Sequence, residues 1–284
     1  MKLRLLLFII ALLSVMAWPV WAGECQLQLA PGQVRQGDCF VARLAGVGQA
    51  CQPQVSWAGR KIPMFWDGAE WRAYLPLSPE VAPGSKDVVV RWADGAGPQS
   101  AKAALTALPQ KFGVQYLKLA AKQEALYTAP GVEREYRLIR GALGRFSPQA
   151  FWQDEFIVPV KGRKSTAYGL RRFRNGVKQG IHKGLDYGAP LGTPVRAANN
   201  GVVTLVAEDF KMHGKTVIID HGQGVCTIYL HLSKILVKPG QQVAKGETIA
   251  KVGATGVATG PHLHYALYVA DTSVNPAWWE SQAR

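Results

Sequence analysis

The first 181 residues contain no histidine; all six in the chain fall between His182 and His264. This bias marks the C-terminal part as the seat of any imidazole chemistry, whether metal binding or proton transfer. Cysteine is scarce as well. Four occur and none forms a C-x-x-C pair, which argues against a thiolate zinc site or a thioredoxin-like redox motif. No run of lysine and arginine accompanies the formal net charge of +14, from 33 basic against 19 acidic residues. The charge is a diffuse basic surface suited to an anionic polymer, cell wall or nucleic acid, rather than a basic arm. Beyond residue 22 no stretch is long and apolar enough to span a bilayer. After about residue 155 no long helical periodicity interrupts the strand pattern, so an antiparallel β domain is expected there.

Residues 1–22 read as a signal peptide. Lys2 and Arg4 precede the apolar run 5–17, and Val20-Trp21-Ala22 offers a cleavage site. The mature chain is expected to be exported, with no stable membrane insertion once the signal is removed. Such a compartment permits disulfides, and one bridge is expected among Cys25, Cys39 and Cys51, with its connectivity open.

The pattern is mainly β and divides in three. Residues 23–105 carry short alternating strands, with Asp67-Gly68 as a hairpin turn, and predict an immunoglobulin-like β-sandwich whose tryptophans (Trp57, Trp66, Trp71, Trp92) serve as core. Residues 106–150 form a connector. Within it 112–119 suggests one more strand, and Val132, Tyr136, Ile139 and Leu143 recur at helical spacing on a short amphipathic helix. Residues 151–284 form the antiparallel β domain, with turns at Asn200-Gly201 and His221-Gly222.

Four of the six histidines sit in three short motifs, GIHKGLDYG (180–188), IYLHLS (228–233) and TGPHLHY (259–265). His182 and Asp186 are four apart, but Gly180, Gly184, Gly188 and Pro190 argue against a helix, so the pair is expected on an extended or looped segment. On a strand, residues two apart share a face, so His262 and His264 point one way and Leu263, Tyr265 and Leu267 the other. By the same parity His231 shares a face with Thr227 and Tyr229, opposite Cys226, Ile228, Leu230 and Leu232. Strand parity thus predicts His231, His262 and His264 on matching polar faces, and a buried, unpaired Cys226.

HKGLD, YLHLS and TGPHLHY resemble the motifs of the lysostaphin-type (LytM-domain) zinc metallopeptidases, and the resemblance runs over roughly the last 130 residues. It includes AYGLRRFRNG (167–176), APLGTPVRA (189–197), VIIDHGQGV (217–225) and VKPGQQVAKGE (237–247). The resemblance implies a LytM-type peptidase domain that holds one Zn2+ per chain on His182, Asp186 and His264. His231 and His262 are then unligated catalytic histidines. It also names peptidoglycan, in place of nucleic acid, as the partner of the basic surface, and favours the periplasm over full secretion as the compartment. The function implied is a zinc endopeptidase acting on peptide cross-links or stem peptides; the alternative is a non-catalytic LytM-type regulator that binds the wall and activates an amidase. His221 is expected to be structural and His213 to be a solvent-exposed loop residue. Arg171 or Arg172 is a candidate to line the groove, and the sandwich and helix are expected to cover part of it. Ile181 stands where a proline often precedes the first ligand, and Tyr168 where phenylalanine is usual.

Overall fold

The computed structural model describes residues 25–281; the expected signal peptide, 1–22, lies outside them. The chain is mainly β. In its N-terminal part, strands Gln26–Ala30, Cys39–Ala45, Trp71–Pro76 and Phe65–Trp66 make one sheet. Gln33–Arg35, Gly97–Leu108, Gly84–Asp94, Gln54–Trp57 and Arg60–Pro63 make the second. Alternation builds the core between them: Phe40, Ala42 and Leu44 from one sheet and Val55, Val88, Val90 and Leu105 from the other are buried. Trp57 packs edge-on against Phe40 and donates its indole N–H to the carbonyl of Pro76, 2.7 Å away, so its polar atom is satisfied inside the core. Trp57 and Trp71 are buried, and Trp66 and Trp92 pack partly buried against the core. At the hairpin joining Phe65–Trp66 to Trp71–Pro76, Asp67 Oδ1 accepts the N–H groups of Ala69 and Glu70.

The expected disulfide is not formed: Cys25, Cys39 and Cys51 are all free. Register explains one pairing's failure. Gln26 lies opposite Ala45, so Cys25 sits at the far end of the strand that Cys39 begins, and six strand residues span roughly 20 Å, well beyond disulfide reach. Cys39 is instead a fully buried core thiol beside Pro76. Cys226 is also free and buried, as parity required.

The connector contributes to the second part of the fold. Val114–Leu117, the strand suggested within 112–119, runs parallel to Arg171–Arg174 at the edge of the domain expected to be antiparallel. The long excursion between the two strands supplies the crossover that parallel pairing needs. A short helix, Ala121–Ala125, precedes the anticipated one, Val132–Leu143. In the latter Val132, Ile139 and Leu143 are buried, but Tyr136 is exposed and Glu135 takes its place on the inner face.

The central sheet orders its strands Arg163–Thr166, Leu185–Gly188, His262–Val269, Val225–Leu232, Lys215–Gly222, Gly201–Ala207 and Gln242–Val243, with Thr272–Val274 paired to His262–Val269. One face carries Val217, Ile219, Tyr229, Leu263, Tyr265 and Leu267 into the main core. The other carries Ile218, Cys226, Ile228, Leu230 and Ala266, which the connector helix covers with Ile139, Ala142 and Leu143. Among the described residues no helix is long and apolar enough to cross a membrane.

His221 is structural, with no exposed surface. Its Nδ1 lies 2.7 Å from the Asn200 carbonyl and its Nε2 2.8 Å from Thr227 Oγ1. Burial pushes its pKa down from 6.5 to about 4, against the opposing pull of the Asn200 bond. Below pH 6.5 the unfolded chain therefore takes up a proton that the folded ring refuses. The stability from this site is complete above that pH and is lost as pH falls toward 4, on the order of 3 kcal/mol in all. Urea unfolding of the parent and of His221→Gln at about pH 7 and about pH 4.5 checks this. The variant is expected to show a shallower acid loss; equal losses would contradict the assignment.

Candidate metal centre

Leu185–Gly188 pairs with His262–Val269 so that Asp186 lies directly opposite His264. Opposed residues of an antiparallel ladder share a face, so Asp186 and His264 emerge together while Leu185, Tyr187, Leu263 and Tyr265 go to the core. His182 arrives from the loop before this strand. Its N–H donates to Leu170 and its carbonyl accepts from Gly169, which ties the loop to the AYGLRR stretch. Gly184 permits the close approach: a Cβ there would stand 2.4 Å from the Tyr265 carbonyl oxygen and 2.9 Å from His264 Nε2.

The three side chains converge. His182 Nε2 lies 3.0 Å from Asp186 Oδ1 and 3.0 Å from His264 Nδ1, and His264 Nδ1 lies 2.8 Å from Asp186 Oδ1. His182 Nδ1 is 2.7 Å from the Ala167 carbonyl, which only accepts, so the ring proton sits on Nδ1 and the Nε2 lone pair faces inward. One proton on His264 Nδ1 satisfies Asp186, yet the contact from His182 Nε2 to Asp186 Oδ1 then holds none. Lone pairs pressed together at this range fit a cation between them. Two imidazole nitrogens and one carboxylate oxygen suit a divalent ion with one coordination position left over. Electrostatics agree. Burial would raise the Asp186 pKa, but the close nitrogens of His182 and His264 outweigh it and hold the carboxyl well below its usual range. Burial lowers His264 to about 4 despite Asp186, so its ring is neutral and free to ligate near neutral pH.

His231 reaches the site by a route that strand parity does not predict. Tyr229 pairs with Tyr265 and Leu230 with His264, so regular alternation would send His231 to the core side with Leu263, away from His264. On the other edge, Val217 pairs with Tyr229 but Lys215 with Leu232, so Leu230 and His231 together oppose Thr216. This is a β-bulge, and it keeps His231 on the side of Leu230 and His264. His231 adopts φ +62°, a left-handed conformation costing a non-glycine residue about 1–3 kcal/mol. Its ring stands 4.9 Å from that of His262 and 6.3 Å from that of His264. The expected meeting of the three histidines is found, but a bulge produces it.

Both additional histidines are anchored alike. His231 Nδ1 lies 2.8 Å from the Thr255 carbonyl and His262 Nδ1 2.8 Å from the Gly260 carbonyl, so each ring donates through Nδ1 and keeps Nε2 out of that bond. Burial, followed by repulsion from His262 and His264, lowers His231 to about 3.

A groove of about 320 Å³ opens beside Asp186 and His262. Arg172 lines it, its Nε donating to Gln115 Oε1 at 2.8 Å and its Nη2 lying 3.5 Å from Asp186 Oδ2; Arg171 does not line it. The connector contributes Gln115, Leu117, Leu119 and Tyr127 to its lining. Gln123 Nε2 donates across to the Ala258 carbonyl at 2.8 Å, so the connector helps enclose the groove. Sequence reasoning missed these wall residues because no spacing rule links them to the histidines.

His213 is not the exposed loop residue expected. It packs against the connector helix, its Nδ1 2.9 Å from Glu135 Oε2 and its ring edge-on to Tyr136.

The profile of Peptidase family M23 matches residues 180–276, the span holding all six histidines. A crystal structure of a candidate peptidase M23 from Pseudomonas aeruginosa is similar over 88% of this chain and 95% of that one, at 30% identity and a TM-score of 0.62. The chain belongs to peptidase family M23. The peptidoglycan DD-endopeptidase ShyA of Vibrio cholerae is 44% identical over 123 residues, 43% of this chain and 28% of that protein. The DD-carboxypeptidase/endopeptidase Mpg of Neisseria meningitidis is 47% identical over 96 residues, 34% of this chain and 22% of that protein. The matched stretch thus spans less than a third of either curated relative.

Proposed function

We propose that the chain is an exported zinc endopeptidase that hydrolyses the peptide part of bacterial peptidoglycan, with the periplasm as its compartment. The observation that carries this reading is the convergence of His182 Nε2, Asp186 Oδ1 and His264 Nδ1 beside two histidines whose Nε2 atoms are free. The activities named for ShyA and Mpg support the substrate class. We assign the division of labour as a sandwich over 23–105, a connector over 106–150 and a peptidase domain over 151–284.

His182, Asp186 and His264 would hold the ion; when bound, zinc acidifies a water and polarises the scissile carbonyl. The chain's own residues supply the proton handling. His231 and His262 each present Nε2, locked in orientation by the Thr255 and Gly260 carbonyls, so the pair can accept a proton and return it to the leaving amine. Arg172 brings a cation to the groove, suited to a carboxylate of the stem peptide. The basic surface draws the anionic wall polymer. The alternative, a silent regulator that activates an amidase, has no use for a complete ligand set and two free imidazoles.

Isolated sacculi separate the two. The purified mature chain is expected to solubilise them with no amidase present, and to stop when a chelator is added. Solubilisation that requires an added amidase would overturn the enzymatic reading in favour of the regulator.

A further inference from the structure

His231 needs more than its own strand to hold it. Its backbone is left-handed and its ring depends on one carbonyl, that of Thr255. Two loops make the holder. The His231 N–H donates to the His213 carbonyl at 3.2 Å, and Val257 N–H donates to that of Met212 at 2.9 Å, so loop 211–214 is stitched both to the bulge and to the turn carrying Thr255. Thr255 Oγ1 accepts from Lys215 N–H at 2.9 Å and donates to the Leu232 carbonyl at 2.8 Å, closing the frame. Glycine makes the fit possible. A Cβ on Gly214 would stand 2.4 Å from the Thr255 carbonyl oxygen, the atom that orients His231, and Gly214 sits at φ +66°.

One side chain from outside this frame fastens it. Glu135, on the inner face of the connector helix and almost wholly buried, accepts the backbone N–H groups of Lys211, Met212 and His213 and meets His213 Nδ1. Three successive N–H groups and an imidazole on one buried carboxylate fix a loop that has no ladder of its own. A carboxylate there otherwise has no reason to displace Tyr136 from the helix's apolar face.

We propose that Glu135 is a positioning residue for the reaction: through loop 211–214 and the Thr255 turn it holds the His231 ring in its working orientation. The proposal rests on the proposed role of His231 as a proton-handling group. It makes the connector helix, which lies outside the span matched by the family profile, part of the catalytic apparatus.

Glu135→Gln in the full mature chain tests it. The amide keeps one acceptor oxygen but puts an N–H group where the other accepted N–H donors, so the loop loses part of its anchor while side-chain volume stays the same. Expected are unchanged zinc content, a kcat lowered by about ten- to a hundredfold, and an unchanged KM. A readout independent of turnover is the imidazole 15N spectrum of the zinc-free protein. There the His231 Nδ1–H signal, sheltered by Thr255 in the parent, is expected to broaden or vanish in Glu135→Gln. Arg137→Ala, exposed on the same helix, is the control and should match the parent in both readouts. If Glu135→Gln does not fold, Thr255→Val breaks the frame at its other corner and is expected to lower kcat with the same spectral change. A folded Glu135→Gln with parental kcat and a parental His231 signal would overturn the proposal, as would Thr255→Val behaving so. If the parent itself bound no zinc and cut nothing, the functional reading beneath would be the one to fail.

Discussion

His264→Ala is expected to lose zinc and peptide hydrolysis together. Three ligands are the minimum that holds a catalytic zinc with a position open, and two remaining donors on a buried face cannot compensate. In the metal-free protein His264 Nδ1 also lies at hydrogen-bond distance from Asp186 Oδ1 and helps keep that carboxylate ionised and in place, so the variant loses the site's pre-organisation along with a ligand. Zinc content by elemental analysis and release of soluble fragments from sacculi should therefore fall in step. A variant that kept about one zinc per chain and full activity would remove His264 from the ligand set.

His231→Ala is expected to separate these two quantities. His231 Nδ1 is committed to the Thr255 carbonyl and its Nε2 to no protein group in the ligand set, so the variant should keep its zinc. Removing a positioned proton-transfer group typically costs roughly 10²- to 10⁴-fold, and the whole of that should appear in kcat. Truncation also relieves the crowding of three imidazoles around one point, so stability should not suffer greatly. Zinc loss in His231→Ala on the scale of His264→Ala would mean that His231 is a ligand.

Much of the architecture was legible in the sequence because it rests on local rules. Alternation marked the sandwich strands and the buried Cys226, and Asp67-Gly68 marked its hairpin. The grouping of His182, Asp186 and His264 was legible through motif resemblance, and the ladder that sets Asp186 against His264 gives it a physical basis. What stayed hidden depends on register and on packing between distant segments. Parity set His231 on the right side for a reason that does not hold, since only the bulge opposite Thr216 puts it there. No pattern within 225–232 announces a bulge that faces Thr216 and is hydrogen-bonded to loop 211–214. Glu135 was invisible for a related reason: helical spacing nominated Tyr136, whereas the buried acid answers to three N–H groups more than seventy residues away. Of the disulfides the spacing allowed, Cys25–Cys39 is ruled out by register, which sets the two at opposite ends of paired strands.

Mass spectrometry of the fragments released from isolated sacculi by the purified mature chain, in zinc and after chelation, tests the central claim most directly. The account predicts new termini within the peptide, formed in zinc, absent after chelation and restored when zinc is returned. Fragments cut only in the glycan or at the amide joining glycan to peptide, or peptide cleavage indifferent to chelation, would contradict it.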